Sequence, residues 1–166
     1  MHDLSPHASG EPRQIRPQTA ADYFEVLSRA VFNSGLSWRV VHAHWPATAE
    51  AFADFDPDVV AGFDEQDIDH LLADDRLIRS RGKLAAIPVN ARTFLQLADD
   101  HGSFDRWLHA FADYDARERG LCRAFKYIGE FGAYWSLYTL GIDVPDYRDW
   151  ALARGRQLPA HLRDHG

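Results

Sequence analysis

The sequence holds one cysteine, Cys122, among 166 residues. A single thiol makes no internal disulfide and no multi-cysteine zinc site; it fits a reducing compartment. No apolar run approaches the roughly 18 residues of a membrane span. The N-terminus lacks a basic-plus-apolar signal pattern, so the expected location is the cytoplasm. Positive charge is scarce too: 18 Lys and Arg stand against 25 Asp and Glu, for a net charge of −7. That argues against a protein that coats nucleic acid non-specifically, while a locally basic groove remains open to it. There is no glycine-rich nucleotide loop, metalloprotease histidine pair or nucleophile elbow. His42 and His44 are two apart and point to different sides of a helix, and His70, His101 and His109 are scattered. The first 18 residues contain no Tyr, Trp or Phe.

What is present is a globular composition, 46% hydrophobic and 13% aromatic, at a length that suits one domain with a sizeable core. Residues 1–18, with three prolines, read as an extended or flexible arm. Residues 19–150 read as a helical domain and 151–166 as a polar tail. Thr19 with Asp22 makes a partial capping box for a first helix to about Phe32. Ser37 caps a second, which Pro46 is expected to end or kink. Pro57 opens a short third. Asp64 caps a fourth, over 65–75. Pro88 is expected to kink the helix that follows or to mark its late start. Further helices are expected over about 104–112 and from Gly129 to about Leu140, with Gly120 breaking the chain between them and Gly141 ending the last. No strand or repeat is evident, and the fold class is all-α.

The stretch 68–97 reads as helix, tight turn, helix. Ile68, Leu71 and Leu72, then Leu84, Ile87, Phe94 and Leu95, recur at helical spacing. Between them lies Arg79-Ser80-Arg81-Gly82-Lys83. A glycine permits a tight backbone there, and the N-terminus of the second helix presents free N–H groups and a positive dipole end. Three cations around such a corner suit a phosphate, and a solvated basic turn is the other reading. Cys122 reads as a small buried hydrophobe.

Gly35-Leu36-Ser37-Trp38, Phe55-Asp56-Pro57, Ile78 to Lys83, Asn90-Ala91-Arg92 and Phe125-Lys126-Tyr127-Ile128-Gly129 occur in an order that resembles the DNA-3-methyladenine glycosylase I family, over roughly residues 20–142. The resemblance implies a helix-hairpin-helix fold, a duplex DNA substrate carrying an alkylated base, extrusion of that base and hydrolysis of its N-glycosidic bond in base excision repair. It implies Trp38 as the base-stacking residue, Leu36 as the residue pushed into the DNA stack, and Arg79, Arg81, Gly82 and Lys83 as the phosphate grip. Lys126, Tyr127 and Gly129 match a segment that packs the last helix against the pocket.

The departures are equally definite. The family's base-reading glutamate falls at Ala30, its aromatic N-terminal segment is absent, and the cysteines and histidines of its zinc site are not retained, so no cofactor is expected. Glu130, at the start of the last helix, is the candidate replacement carboxylate, or simply a partner for the helix dipole. Glu25 points away from Ala30. Tyr134 and Trp135 either restore lost aromatic wall or belong to the core. A catalytically impaired module that binds damaged or structured DNA, or another partner, is the competing reading. An open polar pocket beside Trp38 favours the enzyme; one plugged by Phe32 favours the module.

Overall fold

The computed structural model describes residues 14–163. Among these the chain is all-α, with helices α1 (Ala20–Asn33), α2 (Trp38–Ala51), α3 (Pro57–Val60), α4 (Glu65–Ala73), α5 (Arg81–His101), α6 (Phe104–His109), α7 (Tyr114–Ala124), α8 (Glu130–Thr139), α9 (Tyr147–Ala153) and α10 (Ala160–Arg163). The caps are those the residue types call for. Thr19 Oγ1 accepts from the Asp22 N–H at 3.2 Å while the Asp22 carboxylate accepts from the Thr19 N–H at 3.0 Å. Asp64 and Asp67 repeat this box at α4, and Ser37 and Ser80 cap α2 and α5. Each cap satisfies a backbone donor that the helix itself leaves over.

α2 runs through Pro46, and α5 starts at Arg81 and runs through Pro88, so Pro46 does not end its helix and Pro88 does not mark a late start; Pro88 is buried, so packing holds the helix across the missing N–H. Gly120 does not break the chain but sits inside α7. A Cβ there would lie 2.3 Å from the ring of Phe111, so this glycine admits an aromatic neighbour. The hairpin connection is Asp74–Ser80 rather than a turn at Gly82, which is the second residue of α5.

An aromatic-rich core lies between α1, α2, α5 and α6. Phe24 meets Phe55 and Phe94 edge-on, with centroids 6.3 and 5.6 Å away, and Trp45 stacks on Phe55 at 5.1 Å. Burial of rings this size is the main apolar contribution to folding. Ala53, Asp54 and Phe55 all take left-handed φ, +52° to +58°, in the turn that swings Phe55 into this core. Phe32 is fully buried against Trp45.

The boundaries set at residues 18 and 150 cut through ordered packing. Residues 1–13 lie outside the described part, but the Ile15 N–H donates to Thr139 O at 2.7 Å and Gln14 Nε2 to Tyr138 O at 3.2 Å. Position 150 falls inside α9. Ala151 and Leu158 join Tyr134, Tyr147 and Trp150 in a second apolar cluster, closed by Arg154. The Arg154 guanidinium donates to both carboxylate oxygens of buried Glu118, at 3.2 Å from Nε, and to Asp115 at 3.2 Å. Both Arg154 and Arg156 place their guanidinium carbons about 5 Å from the Trp150 ring centre, at 4.9 and 5.1 Å.

Candidate functional site

α1 and α8 cross closely where a Cβ on Gly132 would lie 3.7 Å from that of Ala30. Small residues at both positions leave an open cavity of about 250 Å³ at the mouth of this crossing. The turn between α1 and α2 forms one wall, with Asn33, Ser34, Gly35 and Trp38. The start of α8 forms the other, with Gly129, Glu130, Phe131 and Trp135. The Trp38 and Trp135 rings both line the cavity and touch each other, with centroids 5.1 Å apart and planes tilted by 49°. Trp38 is half-buried and begins α2 directly after the Ser37 cap, so a rigid helix start fixes the indole. Phe32 does not plug the cavity.

Glu130 lines the cavity at the first residue of α8, where a carboxylate complements the helix dipole. Its Oε2 lies 3.8 Å from Arg156 Nη2 and 4.0 Å from Arg154 Nε. Glu130 thus sits at the positive end of α8 and lines the opening. Tyr134 is different. It is one residue before Trp135 on α8 and so points about 100° away. Its side chain is buried in the second cluster against Trp150, with centroids 4.7 Å apart, and its hydroxyl donates to Pro145 O at 2.8 Å. Tyr134 is core, not pocket wall. Glu25 accepts from Trp45 Nε1 at 3.0 Å, away from the cavity.

The hairpin divides in the same way. Arg79 and Arg81 are exposed at the N-terminus of α5. Arg79 pairs with Asp75, and Arg81 pairs with Asp69 and, at 3.4 Å, with Glu65. Such surface pairs are worth little and exchange readily. Lys83 instead turns inward, and its ammonium donates to Ser34 O and to Phe32 O, the latter at 3.4 Å. Burial pushes its pKa down. Lys83 thus ties the end of α1 to α5 and holds the turn bearing Leu36; it is not part of an exposed phosphate grip. Gly82 has a neighbour the spacing did not reveal, the end of the Tyr127 side chain. A Cβ there would lie 2.4 Å from the Tyr127 hydroxyl.

Tyr127 joins the two halves of the site. It lines the cavity, is 48% exposed, and takes a left-handed φ of +61°. That conformation costs about 1 kcal/mol for a non-glycine residue. The Asn90 amide enforces it from beneath: Oδ1 accepts from the Lys126 N–H at 2.8 Å and Nδ2 donates to Lys126 O at 3.1 Å. Lys126 contributes its backbone, while its side chain is exposed. Leu36 lies part-buried on the tight turn that Gly35 makes possible at φ +77°. Asn33 and Arg156 are cavity residues that the sequence did not single out. Nothing in the local pattern marks Arg156, because the packing of α9 brings it back to the site from 26 residues beyond Glu130. Asn33 carried a faint signal as a polar residue on the last turn of α1.

Among the described residues no three His, Cys, Asp or Glu side chains gather as metal ligands would. Burial pushes the Cys122 thiol up to about 11, against the thiolate a zinc ion requires.

A sequence profile described as methyladenine glycosylase matches residues 15–142. The DNA-3-methyladenine glycosylase of Haemophilus influenzae is 33% identical over 140 residues, covering 72% of this chain and 76% of that protein. DNA-3-methyladenine glycosylase 1 of Escherichia coli is 34% identical over 91 residues, 55% of this chain; the match spans about half of that relative's length, 49%. In structure, 3-methyladenine DNA glycosylase I from Staphylococcus aureus superposes with a TM-score of 0.69 at 25% identity, over 78% of this chain and 80% of that one. A variant of 3-methyladenine DNA glycosylase I in complex with 3-methyladenine gives 0.66 at 26% identity, over 84% of each chain.

Proposed function

From a chain that belongs to the methyladenine glycosylase family, we propose a monofunctional DNA glycosylase that hydrolyses the N-glycosidic bond of 3-methyladenine or a related alkylated purine in duplex DNA. The observation that carries this reading is the open cavity faced by Trp38 and Trp135. The half-buried Trp38 indole, backed by Trp135, suits a flipped, electron-poor base, through stacking and cation–π attraction. A plugged or filled cavity is what a purely binding module would have.

In this reading the duplex docks on the N-terminus of α5. Arg79 and Arg81 leave Asp75, Asp69 and Glu65 for backbone phosphates. Leu36 enters the stack, and the lesion base leaves it for the cavity. An alkylated, cationic purine is already a good leaving group. Its C1′–N bond breaks with the electron pair passing to the base nitrogen, which neutralises it. A water oxygen bonds to C1′ and the displaced proton passes to Glu130 and then to solvent. The Glu130 carboxylate also stands near the positive charge that develops on the sugar. The expected location is the cytoplasm; no helix among the described residues is long and apolar enough to cross a membrane.

Incubating the protein with a methylated duplex is expected to release free methylated purine, measured by chromatography. Salt-dependent duplex binding without any release would instead support the non-catalytic module, and neither binding nor release would end both readings.

The two kinds of hairpin cation are separable by salt. Arg81→Gln should lower the slope of log K against log salt by about 1, the signature of one lost phosphate contact. Lys83→Met should leave that slope unchanged and still reduce base release by about tenfold, because the turn carrying Leu36 and Trp38 loses its tether; a tenfold loss corresponds to about 1.4 kcal/mol in the barrier. A slope change equal to that of Arg81→Gln would return Lys83 to the phosphate grip.

A further inference from the structure

Tyr127 holds a backbone conformation that its own packing does not offset. Its φ of +61° lies in the left-handed region that a bulky residue avoids. Ala53, Asp54 and Phe55 take such angles too, but there the turn delivers a fully buried ring to the core. Tyr127 gains no such burial, because it is 48% exposed. Among the described residues its hydroxyl makes no hydrogen bond and its ring meets no other ring. Strain of this kind persists only where the surroundings enforce it, and it gathers at sites that grip a ligand.

The surroundings that enforce it belong to α5. Asn90 is 2% exposed, and its amide holds both the N–H and the C=O of Lys126, which fixes the chain as it enters Tyr127. Gly82, eight residues earlier on the same face of α5, lies under the Tyr127 hydroxyl. Ile128, 4% exposed, anchors the chain on the other side. The ring is thus set at the cavity wall with its hydroxyl over the start of α5. A tyrosine held in this way presents contact area at small entropic cost, since it has only two side-chain torsions to fix.

Those two places are where the docking described above puts a base and its backbone. A base in the cavity and a phosphate near the start of α5 are joined through a deoxyribose, and Tyr127 belongs to both places. Resting on the glycosylase reading above, we propose that Tyr127 is a contact residue for the extruded nucleotide, with its ring packed on the deoxyribose and its hydroxyl donating to the adjoining phosphate. A neutral donor adds a directed hydrogen bond without displacing a counterion, unlike Arg81. A duplex with every base stacked brings no sugar to the cavity, so the contact forms only when a nucleotide has left the helix.

The test is binding, by fluorescence anisotropy, to an undamaged duplex and to one carrying a tetrahydrofuran abasic site, which offers sugar and phosphate but no bond to hydrolyse. The wild type is expected to prefer the abasic duplex. Tyr127→Gly should bind that duplex about tenfold more weakly and the undamaged one within about twofold of wild type. Its melting temperature should be unchanged or raised, because glycine takes a left-handed φ without steric cost. Tyr127→Phe keeps the ring and should lose about threefold on the abasic duplex, as one hydrogen bond does, with the slope of log K against log salt unchanged. The proposal is overturned if the wild type shows no preference, if Tyr127→Gly keeps it or weakens both duplexes equally, or if Tyr127→Phe binds as the wild type does. A melting temperature that falls in Tyr127→Gly marks a structural tyrosine and overturns it equally. Preference through Tyr127 with no purine released from methylated DNA would leave this inference standing and remove the glycosylase reading. Release at the wild-type rate in Tyr127→Gly, with abasic binding unaltered, would do the reverse.

Discussion

Trp38→Ala is expected to reduce base release by about a hundredfold in kcat/KM while binding to an undamaged duplex stays within about twofold. Stacking of one base on an aromatic side chain is worth about 1–3 kcal/mol by truncation, and a cationic base adds a cation–π component of about 0.5–2 kcal/mol. The half-buried Trp38 indole faces Trp135 with centroids 5.1 Å apart and stands at the cavity, not in the central core. Its loss therefore removes one face of the base site and leaves α2 capped by Ser37. Trp38→Phe should recover most of the activity. Single-turnover release from a methylated duplex, alongside binding of an unmethylated one, checks both halves. Retention of full activity by Trp38→Ala would falsify the assignment of the cavity.

Arg154→Ala should have the largest effect on stability, about 3 kcal/mol, and lower the melting temperature by about 6–12 °C for a domain of this size. The Glu118 side chain is 4% exposed and that of Arg154 18%. Removing the guanidinium strands a buried carboxylate and opens the second cluster beside Trp150. Burial already pushes the Glu118 carboxyl above the usual range, with Arg154 opposing that shift; without Arg154 the shift grows. A carboxyl whose folded pKa exceeds its unfolded one stabilises the fold fully below the unfolded value and loses that contribution as pH rises through the folded value. The penalty of Arg154→Ala should accordingly be larger at about pH 7 than at about pH 5. Urea unfolding at the two pH values measures the difference. Because Arg154 also lies 4.0 Å from Glu130, base release should fall in the same variant.

The helices were legible in the sequence where a cap and an apolar stripe agreed. Thr19 with Asp22, Ser37 and Asp64 each announce a helix start, because capping is chemistry between residues two or three apart. α7 was hidden by its single glycine, whose reason is the ring of Phe111 nine residues earlier. α9 was hidden by a charged surface, although Tyr147, Trp150 and Ala151 are buried beneath it.

By itself, the sequence determined the all-α class, the hairpin, the family and the presence of an indole after a capped turn. These follow from local periodicity, from capping and from an ordered set of short motifs, all of which are written along the chain. Only the tertiary structure decided which groups face one cavity. It turned Lys83 inward to the end of α1, sent Tyr134 to the core one residue away from Trp135, set Tyr127 over Gly82 and brought Arg156 back to Glu130. The physical reason is that a side chain's role at a site depends on which helix face meets which neighbour, and that is set by packing between elements far apart in sequence.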